Sequence, residues 1–90
     1  MHRDPVTFTL RVRLQMTRGA LTRILRHLEH RCTRLVGVEL GSDSQARLAV
    51  LDATVETRLS PTTLARQIEK LYDVRAVEVV APLEAVERPE

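Results

Sequence analysis

The residues of this chain that could carry chemistry are few, and the densest group of them is basic. His27 and His30 lie three positions apart, a spacing that can bind a metal ion. Arg23 and Arg26 stand beside them and disfavour a further positive charge, so we expect no metal site. These four residues form a basic stripe, which Arg34 can extend. It is either a plain solvent-facing surface or a docking surface for an acidic partner protein.

Nothing else in the sequence assembles into a catalytic set. Cys32 is the only cysteine, which excludes an internal disulfide and any metal site built from several cysteines. It falls on the apolar side of a helical pattern, so we interpret it as a core residue rather than a nucleophile. The remaining signal is Gly19, between a strand pattern and a helix pattern. It either simply permits a tight turn or lets a ligand approach the free amides of a helix N-terminus.

The apolar residues predict two helices and four strands that would position these side chains. Alternation predicts a strand over residues 6–15, and helical spacing predicts a helix from about residue 19 to residue 31. The other expected elements are a strand at 35–40, a turn at 41–44, a strand at 47–57, a helix from the Ser60 and Pro61 cap to Tyr72 and Asp73, and a strand at 74–80.

This order predicts an α+β, ferredoxin-like βαββαβ fold. Its four-stranded antiparallel sheet would have the strand order 4-1-3-2, with both helices on one face. A chain of 90 residues has room for one such domain, which we place at residues 6–80. Residues 1–5 are expected to be a short N-terminal lead, and residues 81–90, with two prolines and three glutamates, a flexible tail.

Charge and composition exclude several functions that proteins of this fold perform. The net charge is only +2, although residues 1–34 hold eight arginines against two carboxylates. A net charge this small does not favour nucleic acid binding. RNA recognition by base stacking is also excluded, because Phe8 and Tyr72 are the only aromatic residues. A metal chaperone would need two cysteines before the first helix, and an acylphosphatase would need an asparagine that the sequence lacks. No apolar run is long enough for a membrane span, so we expect a cytoplasmic protein.

Three segments resemble a known family. Residues 19–25, Gly-Ala-Leu-Thr-Arg-Ile-Leu, and residues 31–35, Arg-Cys-Thr-Arg-Leu, resemble the ACT-domain segment of acetohydroxyacid (acetolactate) synthase small subunits. Residues 67–79 are similar to the second helix and last strand of that family. The resemblance covers about residues 6–80 and implies an ACT domain, nearest to the short isozyme II type that carries no second domain.

The resemblance also implies where an effector would bind. The family binds valine between two ACT domains, and Gly19 matches its turn glycine, with Ala20 a compatible neighbour. Leu35 takes the place of an isoleucine, whereas Met16 and Arg34 replace two asparagines that hold the amino acid. We therefore expect a weak or absent response to valine, with Arg34 paired to a carboxylate. The candidate effector residues are Met16, Arg18, Gly19, Ala20, Arg34 and Leu35.

The function that the resemblance implies is that of a noncatalytic small subunit. It would activate the catalytic large subunit of acetolactate synthase in branched-chain amino acid biosynthesis, and that partner would hold thiamine diphosphate, FAD and Mg²⁺. The small subunit itself would need no cofactor. A free-standing ACT-domain sensor of amino acids is the alternative. We also expect a homodimer, because Leu48 and Val50 place apolar area on the helix-free face of the sheet and the family's ACT domains pair side by side.

Overall fold

The computed structural model describes residues 4–80; residues 1–3 of the expected lead and the expected tail at 81–90 lie outside the described part. The elements are β1 (Val6–Leu14), α1 (Ala20–Arg31), β2 (Arg34–Asp43), β3 (Leu48–Thr57), α2 (Pro61–Glu69) and β4 (Val74–Val80). The strands form one sheet in the order β2-β3-β1-β4, with every neighbouring pair antiparallel. The βαββαβ order, the sheet and its strand order are confirmed.

The hydrophobic core lies between one face of the sheet and the two helices. Strict alternation along the central strands β1 and β3 buries every second residue, and each helix adds one apolar stripe. The buried apolar residues are Phe8, Leu10, Val12, Leu14, Ala20, Ile24, Leu28, Leu51, Ala53, Val55, Leu64 and Ile68. The opposite face of the sheet, here called the open face, carries no helix and presents the alternate residues of the same strands.

The two helices begin in different ways. The side chain of Ser60 accepts a hydrogen bond of 3.1 Å from the amide of Thr63, and Pro61 opens α2, as the sequence predicts. Gly19 caps α1 without any side-chain hydrogen bond. Helix α2 ends at Glu69, earlier than expected, because the chain tightens into a bond from the Lys70 amide to the Gln67 carbonyl. Within residues 4–80, no helix is long and apolar enough to cross a membrane.

The turn expected at residues 41–44 is wrong, because β2 continues through this segment. Gly41 pairs with Val50, and Asp43 pairs with Leu48. The reversal comes at residues 44–47, where Arg47 has a φ of 61° and a side-chain oxygen of Asp43 accepts a hydrogen bond from the Ala46 amide. An aspartate at the end of a strand can close a turn in this way, so the turn residues begin later than the glycine suggests.

Candidate functional site

The turn between β1 and α1 depends on the backbone freedom of Gly19. Its φ is +78°, in the left-handed region that favours glycine. The amide of Ala20 bonds to the carbonyl of Thr17 at 3.0 Å, and the amide of Arg23 bonds to the carbonyl of Gly19 at 3.0 Å. A side chain added at Gly19 would bring its Cβ to 3.2 Å from Nη1 of Arg23. The positive φ therefore favours glycine at this turn, and an added Cβ would also require the guanidinium of Arg23 to shift by a few tenths of an ångström.

The side chain of a buried carboxylate, Asp73, holds this turn by hydrogen bonds. Its exposed fraction is 2%, although it lies in the chain reversal between α2 and β4. The hydroxyl of Thr17 donates to Oδ1 of Asp73 at 2.6 Å, and Nη2 of Arg23 donates to Oδ2. Nη2 of Arg23 also contacts the carbonyl of Arg18 at 3.4 Å. Thr17, Arg23 and Asp73 thus form a clamp, which we call the turn clamp, on the segment before α1.

The electrostatics of the turn clamp favour an ionised carboxylate. The hydrogen bond from Thr17 and then the one from Arg23 lower the pKa of Asp73, while burial opposes them. The backbone adds a further tie, because the carbonyl of Asp73 accepts a 2.9 Å hydrogen bond from the amide of Gln15. The side chain of Gln15 in turn contacts the guanidinium of Arg75. The end of β1 and the start of β4 are therefore fixed together around one charged group.

Sequence reasoning missed the turn clamp. The sequence pattern predicts Asp73 only as the end of a helix, and Thr17 lies between the predicted strand and the predicted helix. The available signal was the carboxylate itself, placed between the apolar residues Leu71 and Val74. A carboxylate in such surroundings needs a charged partner, and the basic stripe supplied one in Arg23. That pairing depends on tertiary contact across 50 positions, which local patterns do not report.

The other candidate residues at the turn differ in exposure. Met16 is 49% exposed, and Arg18 is exposed as well, whereas Ala20 is fully buried in the core. Met16 and Arg18 are therefore available to a ligand at the turn. Ala20 can act only by its small size, because a larger side chain would displace α1 from the sheet.

The second half of the candidate effector site begins β2. Arg34 is exposed, and its Nε donates to Oε1 of Glu56 at 3.1 Å, so it has the carboxylate partner that we expected. Leu35 is half-buried against the core. The strand register places Arg34 beside Glu56, which in turn pairs with Thr7 at the start of β1.

The two halves of the candidate effector site do not meet within one chain. Gly19 follows Leu14 at the end of β1, whereas Arg34 aligns with its start. The seven steps along the strand from Thr7 to Leu14 span about 23 Å at about 3.3 Å each. No side chain bridges that distance, so an effector that contacts both halves needs a second protein surface.

The residues that we expected at an interface fall into two groups. Leu48 and Val50 lie on the open face and are half-buried. The larger exposed apolar side chains of the sheet are instead on edge strand β2, where Val36, Val38 and Leu40 are 45%, 49% and 50% exposed. Leu48 and Val50 thus place apolar area on the open face as expected, and further apolar area is exposed on edge strand β2.

The basic stripe lies along an open groove of about 600 Å³ on the helical layer. The groove is lined by Arg23, Arg26, His27, His30, Arg31 and Leu71. His30 is exposed, as expected, but His27 is half-buried and its Nε2 is buried without a hydrogen-bond partner. A plain solvent-facing surface, one of the two interpretations of the sequence, therefore does not describe His27.

Within residues 4–80, no group of three or more His, Cys, Asp or Glu side chains lies close enough together to hold a metal ion. Cys32 is half-buried and packs against the core, as its place on the apolar stripe predicts. Burial raises the pKa of the Cys32 thiol, and a hydrogen bond with Thr57 opposes that shift. A thiol in this state is a poor nucleophile at neutral pH.

The strand and helix order defines a small domain of the βαββαβ class. Residues 11–77 match the model of the ACT domain family, and the chain belongs to that family. ACT domains are regulatory rather than catalytic, and membership indicates an amino-acid-binding role.

A solved structure with the same fold is the ACT domain from a GTP pyrophosphokinase of Chlorobium tepidum. The TM-score is 0.71 at 16% sequence identity, and the alignment covers 96% of this chain and 98% of that one. At this identity the likeness concerns the fold alone. No curated protein matches the chain significantly.

Proposed function

We propose that this ACT domain is a noncatalytic regulatory subunit that binds an amino acid between two copies of itself. The observation that carries the proposal is the separation of the two halves of the candidate effector site. Gly19 and its turn clamp are preformed at one end of the sheet, whereas Arg34 and Leu35 lie at the other. A site divided in this way is completed by a second copy.

Edge strand β2 is the surface through which the two copies would meet. Among residues 4–80, its outer edge has no strand neighbour in the sheet, and it exposes Val36, Val38 and Leu40. If two β2 strands pair antiparallel about a two-fold axis, each strand begins beside the end of the other. The end of β2 lies level with Leu14, through the pairing of Ser42 with Ala49. The partner copy's β2 would then begin at the same end of the sheet as Gly19.

This arrangement also removes an unfavourable surface. A long exposed edge with apolar side chains invites uncontrolled pairing, and a closed dimer covers it. Sedimentation should therefore give a mass near 20 kDa at micromolar concentration, twice the chain's 10.2 kDa. Val38→Asp should yield the monomer. Val79→Asp is the matched control, because Val79 is 39% exposed on the opposite edge strand β4, and it should leave the dimer intact. A wild-type mass near 10 kDa would refute the shared site.

The partner that we propose is the catalytic large subunit of a thiamine-diphosphate-dependent acetolactate synthase. The support is the sequence resemblance of residues 19–25, 31–35 and 67–79 to the small subunits of that enzyme. Activation would then work by protein contact, with the dimer stabilising the active conformation of the partner. Such a complex would act in the cytoplasm, where a single free cysteine is stable.

The replacement of two asparagines by Met16 and Arg34 predicts a weak valine response. The side chain of Arg34 is paired with Glu56, and it has no side-chain amide that could both donate to and accept from an amino acid zwitterion. The double variant Met16→Asn with Arg34→Asn should gain valine binding, seen as a rise in Tm at millimolar valine. A similar rise for the unmodified protein would show that other residues form the site.

A free-standing sensor is the second candidate, and the complete turn clamp within one chain favours it. Calorimetry of the purified protein with valine, leucine and isoleucine separates the two candidates. Micromolar binding without any catalytic subunit would support the sensor. Binding only at millimolar concentration, together with increased activity when the protein is added to an acetolactate synthase large subunit, would support the subunit.

A further inference from the structure

The groove along the basic stripe has an unusual balance of charge. Its six lining residues comprise three arginines, two histidines and one leucine, and no carboxylate is among them. Arg23 at one end is held by Asp73. Within residues 4–80, neither Arg26 nor Arg31 has a carboxylate within 4.0 Å. Arg23 and Arg26 stand three positions apart on one helix, a spacing at which like charges repel each other. Arg31 lies in the last turn of α1, where the helix dipole favours a cation.

The arginines on the open face of the same domain have carboxylate partners. Arg11 makes a two-point contact with Asp52, at 2.9 and 3.2 Å. Arg13 lies 3.9 Å from Asp43 and 3.5 Å from Glu78. Each of these cations faces a carboxylate on a neighbouring strand. The uncompensated positive charge is therefore a feature of the helical groove and not of the whole surface.

We propose that this groove is a docking surface for a carboxylate-rich segment of a partner protein. Between positions 23 and 31, α1 rises about 12 Å at 1.5 Å per residue, and its cations follow that length. Carboxylates spaced three or four residues apart on a partner helix would match them. Leu71 provides an apolar contact for one aliphatic side chain between the carboxylates. The inference is independent of amino acid binding, since Arg26, His30 and Arg31 do not belong to the candidate effector site.

The charge distribution favours an acidic protein segment over nucleic acid. The net charge of the chain is only +2, and the open face carries Glu39, Asp52 and Glu78. A long polyanion that extended past the groove would meet these carboxylates, whereas a short segment would remain on α1. The groove also has no aromatic side chain on which a base could stack.

The experiment uses the full chain and a defined probe. The probe is a fluorescein-labelled helical peptide of about 14 residues with glutamates at every third or fourth position and two leucines between them, and a second peptide carries glutamine in place of each glutamate. Binding is measured by fluorescence anisotropy at low and at physiological ionic strength, and its position by amide chemical shifts in nuclear magnetic resonance spectra. We expect the acidic peptide alone to bind, with shifts centred on Arg26, His30 and Leu71 and with affinity that falls as salt rises.

A matched pair of variants tests the groove itself. Arg26→Glu places a negative charge in the groove and should weaken binding by about tenfold. Arg66→Glu makes the same charge change on the exposed side of α2, outside the groove, and should change affinity less than about twofold. Because both positions are exposed helix sites, both variants should fold, and circular dichroism checks this. Equal weakening by the two variants, shifts centred on the open face, or tighter binding of a 14-nucleotide single-stranded RNA than of the peptide would each overturn the proposal.

Discussion

The β1–α1 turn and edge strand β2 carry the two halves of the candidate effector site, and they are held in opposite ways. The turn is organised around the buried carboxylate of Asp73, with Thr17 and Arg23 as hydrogen-bond donors. The start of β2 is held by its pairing with β3, by Leu35 against the core and by the exposed ion pair between Arg34 and Glu56. Within the part of the chain that the structure describes, the outer edge of this strand has no strand neighbour. The turn is therefore complete within one chain, whereas β2 is not.

This difference shows how a small domain can make a response depend on assembly. A site formed wholly within one chain would bind its ligand whether or not a partner were present. Under the proposed function, a site divided between the turn and the edge would bind fully only when two copies meet, so ligand binding and pairing would stabilise each other. Substitutions in the turn should therefore change the stability of the single chain more than substitutions in β2.

Loss of the turn clamp should have the largest effect. Asp73→Asn removes the charge that Arg23 and Thr17 address and leaves the Arg23 guanidinium without its partner. We expect a fall in Tm on the order of 10 °C. Thermal unfolding followed by circular dichroism measures it. Asp52→Asn is the control, because Asp52 pairs with a half-exposed Arg11 on the open face, and its effect should be much smaller. A comparable loss in the two variants would contradict the contrast.

The same carboxylate should make stability depend on acid pH. The pKa of Asp73 is lower in the folded chain than its ordinary value of 3.8. Its contribution is therefore fully present above that ordinary value and is lost as pH falls through the lowered pKa. Denaturant titrations from pH 6 to pH 2 should show the difference between wild type and Asp73→Asn shrinking below about pH 4. A difference that stays constant down to pH 2 would exclude an ionised Asp73 as the cause.

A side chain at Gly19 should have the next largest effect. Gly19→Ala forces alanine into the left-handed region, at a cost of about 1–2 kcal/mol. Its Cβ would also meet the guanidinium of Arg23 at 3.2 Å, and that group cannot retreat freely because Asp73 holds it. Equilibrium urea unfolding should therefore show a loss of at least about 1 kcal/mol in the free energy of unfolding. An unchanged midpoint would mean that the turn relaxes more easily than its hydrogen bonds indicate.

Local patterns in the sequence were sufficient for the fold but not for the turn clamp. Alternation in β1 and β3, the helical stripes and the Ser60 cap depend on residues a few positions apart, and these elements are confirmed. The turn clamp joins positions 17 and 23 to position 73, so no local pattern could reveal it. The glycine and serine cluster at 41–44 misled for a related reason. A glycine permits a turn without requiring one, and pairing with β3 decided the outcome.

Only part of the candidate site could be predicted from the sequence. Gly19 was identified from its place before a helix, and its positive φ explains the glycine. The resemblance brought Arg34 into the same site, but its distance from Gly19 is a property of the sheet register. Similarly, Leu48 and Val50 were correctly placed on the open face, yet their half-buried state depends on the neighbouring strands.

A substitution in β2 should move stability in the opposite direction. Gly41→Ala adds a side chain where no atom lies within 4 Å of the new Cβ, and the position has no positive φ. The variant should gain about 0.5–1 kcal/mol in the free energy of unfolding, because alanine has less conformational freedom than glycine in the unfolded chain. Urea unfolding under the conditions used for Gly19→Ala gives a direct comparison. A loss of stability would indicate that the bare backbone at Gly41 has a role in the assembled dimer or in its folding.

The smallest effect is expected at Arg34, the residue that begins β2. Arg34 is 67% exposed on its side chain, and its ion pair with Glu56 spans 3.1 Å at the sheet edge. Exposed pairs of this kind contribute little after solvent screening, so Arg34→Ala should change the free energy of unfolding by at most about 0.5 kcal/mol, and less in high salt. The double-mutant cycle with Glu56→Ala measures the pair itself. Arg34→Ala could instead destabilise the protein strongly, and more so as the protein concentration rises. That result would mean that Arg34 contacts a second copy, and it would support the proposed division of the site. A large loss in the free energy of unfolding that is independent of protein concentration would mean that Arg34 stabilises the single chain. It would contradict the view that the start of β2 is only weakly held.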